Sequence, residues 1–101
     1  MCILRFVLKT PLATLRRASN CPRLLDLAKE LGVRVQRLNS VESGRIEVSD
    51  DFLADLARAL GFRKEHVIAA YLQGRRARLR FEARAIEERL ATLAVPRRRS
   101  A

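Results

Sequence analysis

Six side chains that donate or accept hydrogen bonds lie on one side of a short segment: Arg34, Gln36, Arg37, Asn39, Ser40 and Ser43. Val33, Leu38 and Val41 fall on the other side, with the spacing of an amphipathic helix. Such a helix is either an ordinary surface element with a solvated polar face, or its polar face is cut to fit a groove. Other chemistries find less support. Cys2 and Cys21 lack a C-x-x-C spacing, and the single His66 does not complete a zinc site with them. Cys21 reads as a small buried apolar residue, against the alternative of a disulfide or a reactive thiol. Asp50 and Asp51 read as the acidic first turn of a helix. With no Gly-rich phosphate loop and no partner set for His66, the pattern argues against an enzyme and implies no metal and no cofactor.

The elements that must position the polar helix are legible from caps and stripes. Residues 2–8, CILRFVL, form a short strand or an apolar arm; seven residues are too few for periodicity to decide. Thr10 and Pro11 read as an N-cap and a proline at the first helical position. That helix is expected to end near Ser19 and Asn20, where Asn suits a left-handed residue. Pro22 is expected to open a second helix, with Leu24, Leu27, Ala28 and Leu31 as its stripe and Gly32 as its stop. The third spans about 34–42 and stops at Gly44. Ser49 caps the fourth, with Phe52, Leu53, Leu56, Ala57 and Leu60 inward and Gly61 at its end. A fifth starts near residue 64 and is expected to be interrupted at Gly74. An Arg-rich helix follows it up to Pro96. Loops of two to six residues connect these elements.

Composition fits helices packed on helices. The chain has 101 residues, 5% of them aromatic and none Trp, so its core is built from Leu, Ala, Val and Ile. Net charge is +10 with a pI near 11.3, which calls for an anionic partner. The surplus is uneven: residues 1–74 carry 12 Lys/Arg against 8 Asp/Glu, and residues 75–101 carry 9 Arg against 3 Glu. The apolar start is too short for a signal peptide core. No window reaches the ~20 apolar residues of a membrane span, and a cytoplasmic location is expected.

The stretch from Leu24 to Phe62 resembles the phage Cro/repressor-like, or XRE-type, helix-turn-helix domains. The matching residues are Ala28, Leu31-Gly32-Val33, Leu38, Glu42-Ser43-Gly44-Arg45, Ser49 and Leu56-Ala57-Arg58-Ala59-Leu60-Gly61. From Gly32 to Gly61 they need no gap, and the whole resemblance covers about residues 10–72. It implies an all-α, five-helix, lambda-repressor-like domain with a C-terminal Arg-rich helical extension. The organisation is then an arm at 1–9, a DNA-binding domain at 10–73 and a basic helix and tail at 74–101.

The resemblance also assigns roles. The helix at 34–42 would enter the major groove, with Val35, Gln36, Asn39 and Ser40 facing it and Arg34 and Arg37 near its start. Gln36 would read adenine, or Asn39 in the same way; Val35 would touch a thymine methyl; Arg34 or Arg37 would take guanine or a phosphate. Ser43, Gly44 and Arg45 would lie along the backbone. Glu42 would pair inward with Arg16 or Arg17. The family usually begins its first motif helix with Ser or Thr followed by Gln. Here that Gln position falls on Leu24, or on Arg23 with one residue added, and Arg23 is the choice for the phosphate contact.

The tail carries two patterns. Leu72, Leu79, Ala83, Ile86, Leu90 and Leu93 follow a heptad track broken only by Arg76, a candidate dimer seam; the alternative is a helix folded back on the domain. Arg75, Arg76, Arg78, Arg80 and Arg84, with Arg97–Arg99, favour phosphates, against the alternative of a solvated basic face. The leading expectation is a small dimeric repressor that reads double-stranded DNA. The alternatives are an antitoxin with a cognate toxin protein as partner, or a less specific nucleic-acid-binding structural protein dominated by the tail. No membrane or small-molecule partner is expected.

Overall fold

The computed structural model describes residues 10–93. The apolar segment 1–9, Pro96 and Arg97–Arg99 lie outside the described residues. Five helices and no strand occur among those described: α1 (Pro11–Arg17), α2 (Leu24–Leu31), α3 (Val35–Glu42), α4 (Asp50–Leu60) and α5 (Lys64–Leu93).

Local chemistry sets most of the boundaries. Thr10 caps α1, its Oγ1 accepting from the Ala13 N–H at 3.3 Å, and Pro11 takes the first helical position. Ser49 caps α4 in the same way, accepting from Phe52 N–H at 3.2 Å, and Asp50 and Asp51 sit at the positive end of that helix. Gly32, Gly44 and Gly61 end α2, α3 and α4 with φ of 70°, 76° and 85°, a region that costs residues with a Cβ about 1–2 kcal/mol.

Four details differ from the sequence expectation. Asn20 is not left-handed, since no described residue other than glycine has positive φ. The chain leaves α1 through Ser19, whose Oγ donates to Arg16 O and accepts from Cys21 N–H, and Asn20 N–H bonds to Leu60 O. Pro22 does not open α2; Arg23 is the capping residue and α2 begins at Leu24. The connection from Ser43 to Ser49 exceeds the expected loop length. Lastly, Gly74 does not interrupt α5, which runs unbroken for 30 residues. A glycine inside a helix costs about 1 kcal/mol relative to Ala. Burial of Gly74 against the rest of the domain offsets that local cost.

The core sits where α1, α3 and α4 close around the first third of α5, with α2 packed on α3 and α4. Leu12, Leu27, Leu38, Leu53, Leu56, Leu60, Val41 and Val67 are fully buried. Fully burying one such side chain contributes roughly 1.5–3 kcal/mol. Helices of seven or eight residues are unstable alone, so α1–α3 exist because these side chains anchor them. Beyond Glu82 every residue of α5 is exposed. The helix is about 45 Å long at 1.5 Å per residue, and its second half stands clear of the domain. No helix among the described residues is long and apolar enough to cross a membrane.

Candidate nucleic-acid interface

Helix α3 is held by one face and offers the other. Leu38 and Val41 are buried at 0% and 1% exposure, while Gln36, Arg37 and Asn39 on the opposite side are exposed. Ser40 is half-buried, and Val35 is half-buried against the core cluster, so only part of its side chain faces outward. Arg34 is the exposed N-cap, and no side chain caps the N–H groups of the first turn. The positive dipole end of α3 thus lies beside the exposed Arg34, an arrangement that suits an anion. The guanidinium of Arg37 lies 5.7 Å from the centre of the Phe52 ring, which ties α3 to α4.

The far end of α3 is neutralised from inside. Glu42 is 6% exposed and takes a two-pronged pair from Arg16, with Nε to Oε2 at 2.5 Å and Nη2 to Oε1 at 3.2 Å. Arg16 also donates to the Pro22 carbonyl, so one guanidinium joins α1, the α1–α2 connection and α3. Arg17 lies exposed in the last turn of α1. The pairing removes a carboxylate from a surface that would otherwise repel phosphates.

The segment after α3 is clamped to α5. Gly44 packs so closely on α5 that a Cβ there would stand 2.6 Å from the Gly74 carbonyl oxygen. Arg75 donates through Nη1 to the Gly44 carbonyl at 2.8 Å. Tyr71 is buried; its hydroxyl donates to Ile46 O at 2.8 Å and accepts from Val48 N–H at 3.2 Å. Ser43 Oγ donates to Ser40 O, and Arg45 is exposed. Sequence patterns did not single out Tyr71 or the Arg37–Phe52 contact, because their partners lie 15 to 25 residues away and no local motif marks them.

The remaining candidate residues separate into two groups. Arg23 is at the start of α2, with its side chain 83% exposed and 4.0 Å from Asp26. An exposed pair of this kind contributes about 0–1 kcal/mol, so little restrains Arg23 from another anion. Arg75 is half-buried beside the Gly44 backbone, whereas Arg76 lines a shallow depression with Ala69, Leu72 and Gln73. Two neighbours in sequence therefore serve different faces of α5. Leu79, Ala83, Ile86, Leu90 and Leu93 are all exposed on the projecting part of the helix.

A family model described as helix-turn-helix matches residues 12–66, more than half of the chain. The chain belongs to the XRE-type helix-turn-helix family. This helix-turn-helix protein is a DNA-binding transcription regulator. Comparison with curated proteins and with solved structures finds no match.

Proposed function

We propose that the protein reads double-stranded DNA sequence-specifically with α3 in the major groove and acts as a small dimeric repressor in the cytoplasm. The observation that carries the reading is the division of α3. Its inward side is fully buried, its one acidic group is paired to Arg16, and Gln36 and Asn39 stay exposed between them. An α-helix fits the major groove, and an amide side chain bonds two adjacent positions of an adenine edge at once. Arg34 and Arg45 are exposed at the two ends of α3 and Arg23 is exposed at the start of α2; these, with the Ser43–Arg45 backbone, supply the phosphate contacts that set register. Arg37, whose guanidinium lies over the Phe52 ring, takes guanine or a phosphate. A dimer presents two such helices to successive grooves on one face of the duplex, and an occupied promoter excludes polymerase.

Fluorescence anisotropy at near-physiological salt tests the proposal. A duplex from upstream of the protein's own gene is compared with a shuffled duplex of equal length. Specific readout predicts a preference above about a thousandfold. Equal binding to both, with a steep salt dependence, would put the affinity in the arginines of α5 and count against base reading.

A further inference from the structure

The projecting half of α5 carries an apolar stripe that nothing among the described residues covers. Leu79, Ile86, Leu90 and Leu93 leave 46%, 59%, 60% and 57% of their surface exposed. Because α5 is unbroken from Lys64, the stripe is continuous with the depression formed by Ala69, Leu72, Gln73 and Arg76. The domain packs on a different side of the same helix, through Val67, Ala70, Tyr71 and Gly74. The stripe is thus open to a second helix, and its flanks say which one.

In heptad terms Arg76, Ala83 and Leu90 occupy one core position and Leu79, Ile86 and Leu93 the other. Arg75, Glu82 and Arg89 run along one flank, and Arg80 and Glu87 along the opposite flank. In a parallel, in-register pair each flank faces the other flank of the second helix one step along. That sets Arg75 against Arg80 and Glu82 against Glu87, like charge on like. In an antiparallel pair each flank faces its own copy. With the two-fold axis between residues 84 and 85, Glu82 meets Arg89 of the second copy and Arg80 meets Glu87 of the second copy, each twice by symmetry. All four contacts are then attractive. The same register stacks Leu79 on Leu90 and the small Ala83 on the larger Ile86, and lays the Arg76 stem over Leu93. Sliding one heptad in one direction sets Arg80 on Arg80 and Glu82 on Glu82. Sliding the other way sets Glu87 on Glu87 and Arg89 on Arg89.

We propose that a second copy of this chain docks on the stripe antiparallel, in the register that joins Glu82 to Arg89 and Arg80 to Glu87. The inference rests on the dimeric reading above and specifies its interface. The register has a geometric consequence. Gly74, against which the segment after α3 packs, lies about 32 Å along the helix axis from its copy. One turn of DNA is about 34 Å, close to the axial spacing of these two anchor points.

Disulfide trapping in the full chain tests the register, with Cys2 and Cys21 changed to Ser. Leu79→Cys and Leu90→Cys are made separately; both sites are exposed and outside the core. In the proposed register residue 79 sits beside residue 90 of the second copy, whereas two copies of residue 79 are about 16 Å apart along the axis, too far for a disulfide. An equal mixture is expected to form the mixed disulfide at least tenfold more than either variant forms its own. Self-linking of either variant as efficient as the mixed product overturns the antiparallel register. Sedimentation of the unmodified chain separates the two failures. A stable dimer without the mixed disulfide refutes this interface and leaves the dimeric reading standing. A monomer that still prefers its operator refutes both the interface and the dimer. As a second probe, Glu82→Arg with Glu87→Arg is expected to weaken self-association at least tenfold; unchanged association overturns the charge pairing.

Discussion

Removing Arg16 should damage the protein far more than removing an exposed arginine. Arg16 and Glu42 have side-chain exposures of only 12% and 6%. Arg16→Met keeps most of the aliphatic stem but strands the Glu42 carboxylate in a site with little water. Breaking a buried pair from one side costs about 3–5 kcal/mol, because the remaining charge keeps its desolvation penalty. Lost contact with the Pro22 carbonyl adds to this. For a domain near this size about 1 kcal/mol shifts Tm by 4–8 °C, so a fall of at least ~12 °C is expected. Combining Arg16→Met with Glu42→Leu removes both charges and should recover much of the loss, since apolar replacement of a whole buried pair is often neutral. Urea denaturation of wild type, both single variants and the double variant gives the coupling directly. An Arg16→Met loss below about 1 kcal/mol, or a double variant no better than the worse single one, would refute the assignment of a buried, mutually dependent pair. The double variant should also bind DNA at wild-type salt slope, because neither group is assigned to phosphate.

Gln36→Ala should relax preference at one or two base pairs by about 1–3 kcal/mol and leave binding to shuffled duplex unchanged in the anisotropy assay. Equal losses on every sequence would remove Gln36 from base reading. Tyr71→Phe should cost about 1–3 kcal/mol, since Ile46 O and Val48 N–H both lose their hydroxyl partner. Amide exchange at Val48 reports it, and an unchanged exchange rate there would show that the clamp does not hold the loop.

Several elements were written locally enough to be read from the chain. The caps at Thr10 and Ser49 and the glycine stops at 32, 44 and 61 depend on backbone geometry within one turn. The stripes through Leu27 and Ala28, Leu38 and Val41, and Leu53, Leu56 and Leu60 follow from helical periodicity, and all are buried. The polar face of α3 follows from that same periodicity. The ordered residues from Ala28 to Gly61 carried the resemblance to the family, and a family model matches residues 12–66.

Long-range packing decided the rest. Gly74 has a local preference to break a helix, about 1 kcal/mol, and only its burial in the domain explains why α5 continues through it. Arg75 and Arg76 look equivalent in sequence, yet a step of 100° around α5 points one at the Gly44 carbonyl and the other at the open depression. Val35 and Gln36 are neighbours too, yet Val35 is half-buried against the core cluster and Gln36 is exposed. Tyr71 reaches a backbone carbonyl 25 residues away. Composition, periodicity and capping determine which segments are helices and which side of each is apolar, because those are properties of one turn of chain. Which polar groups meet depends on how five helices pack, and only the tertiary structure settles that.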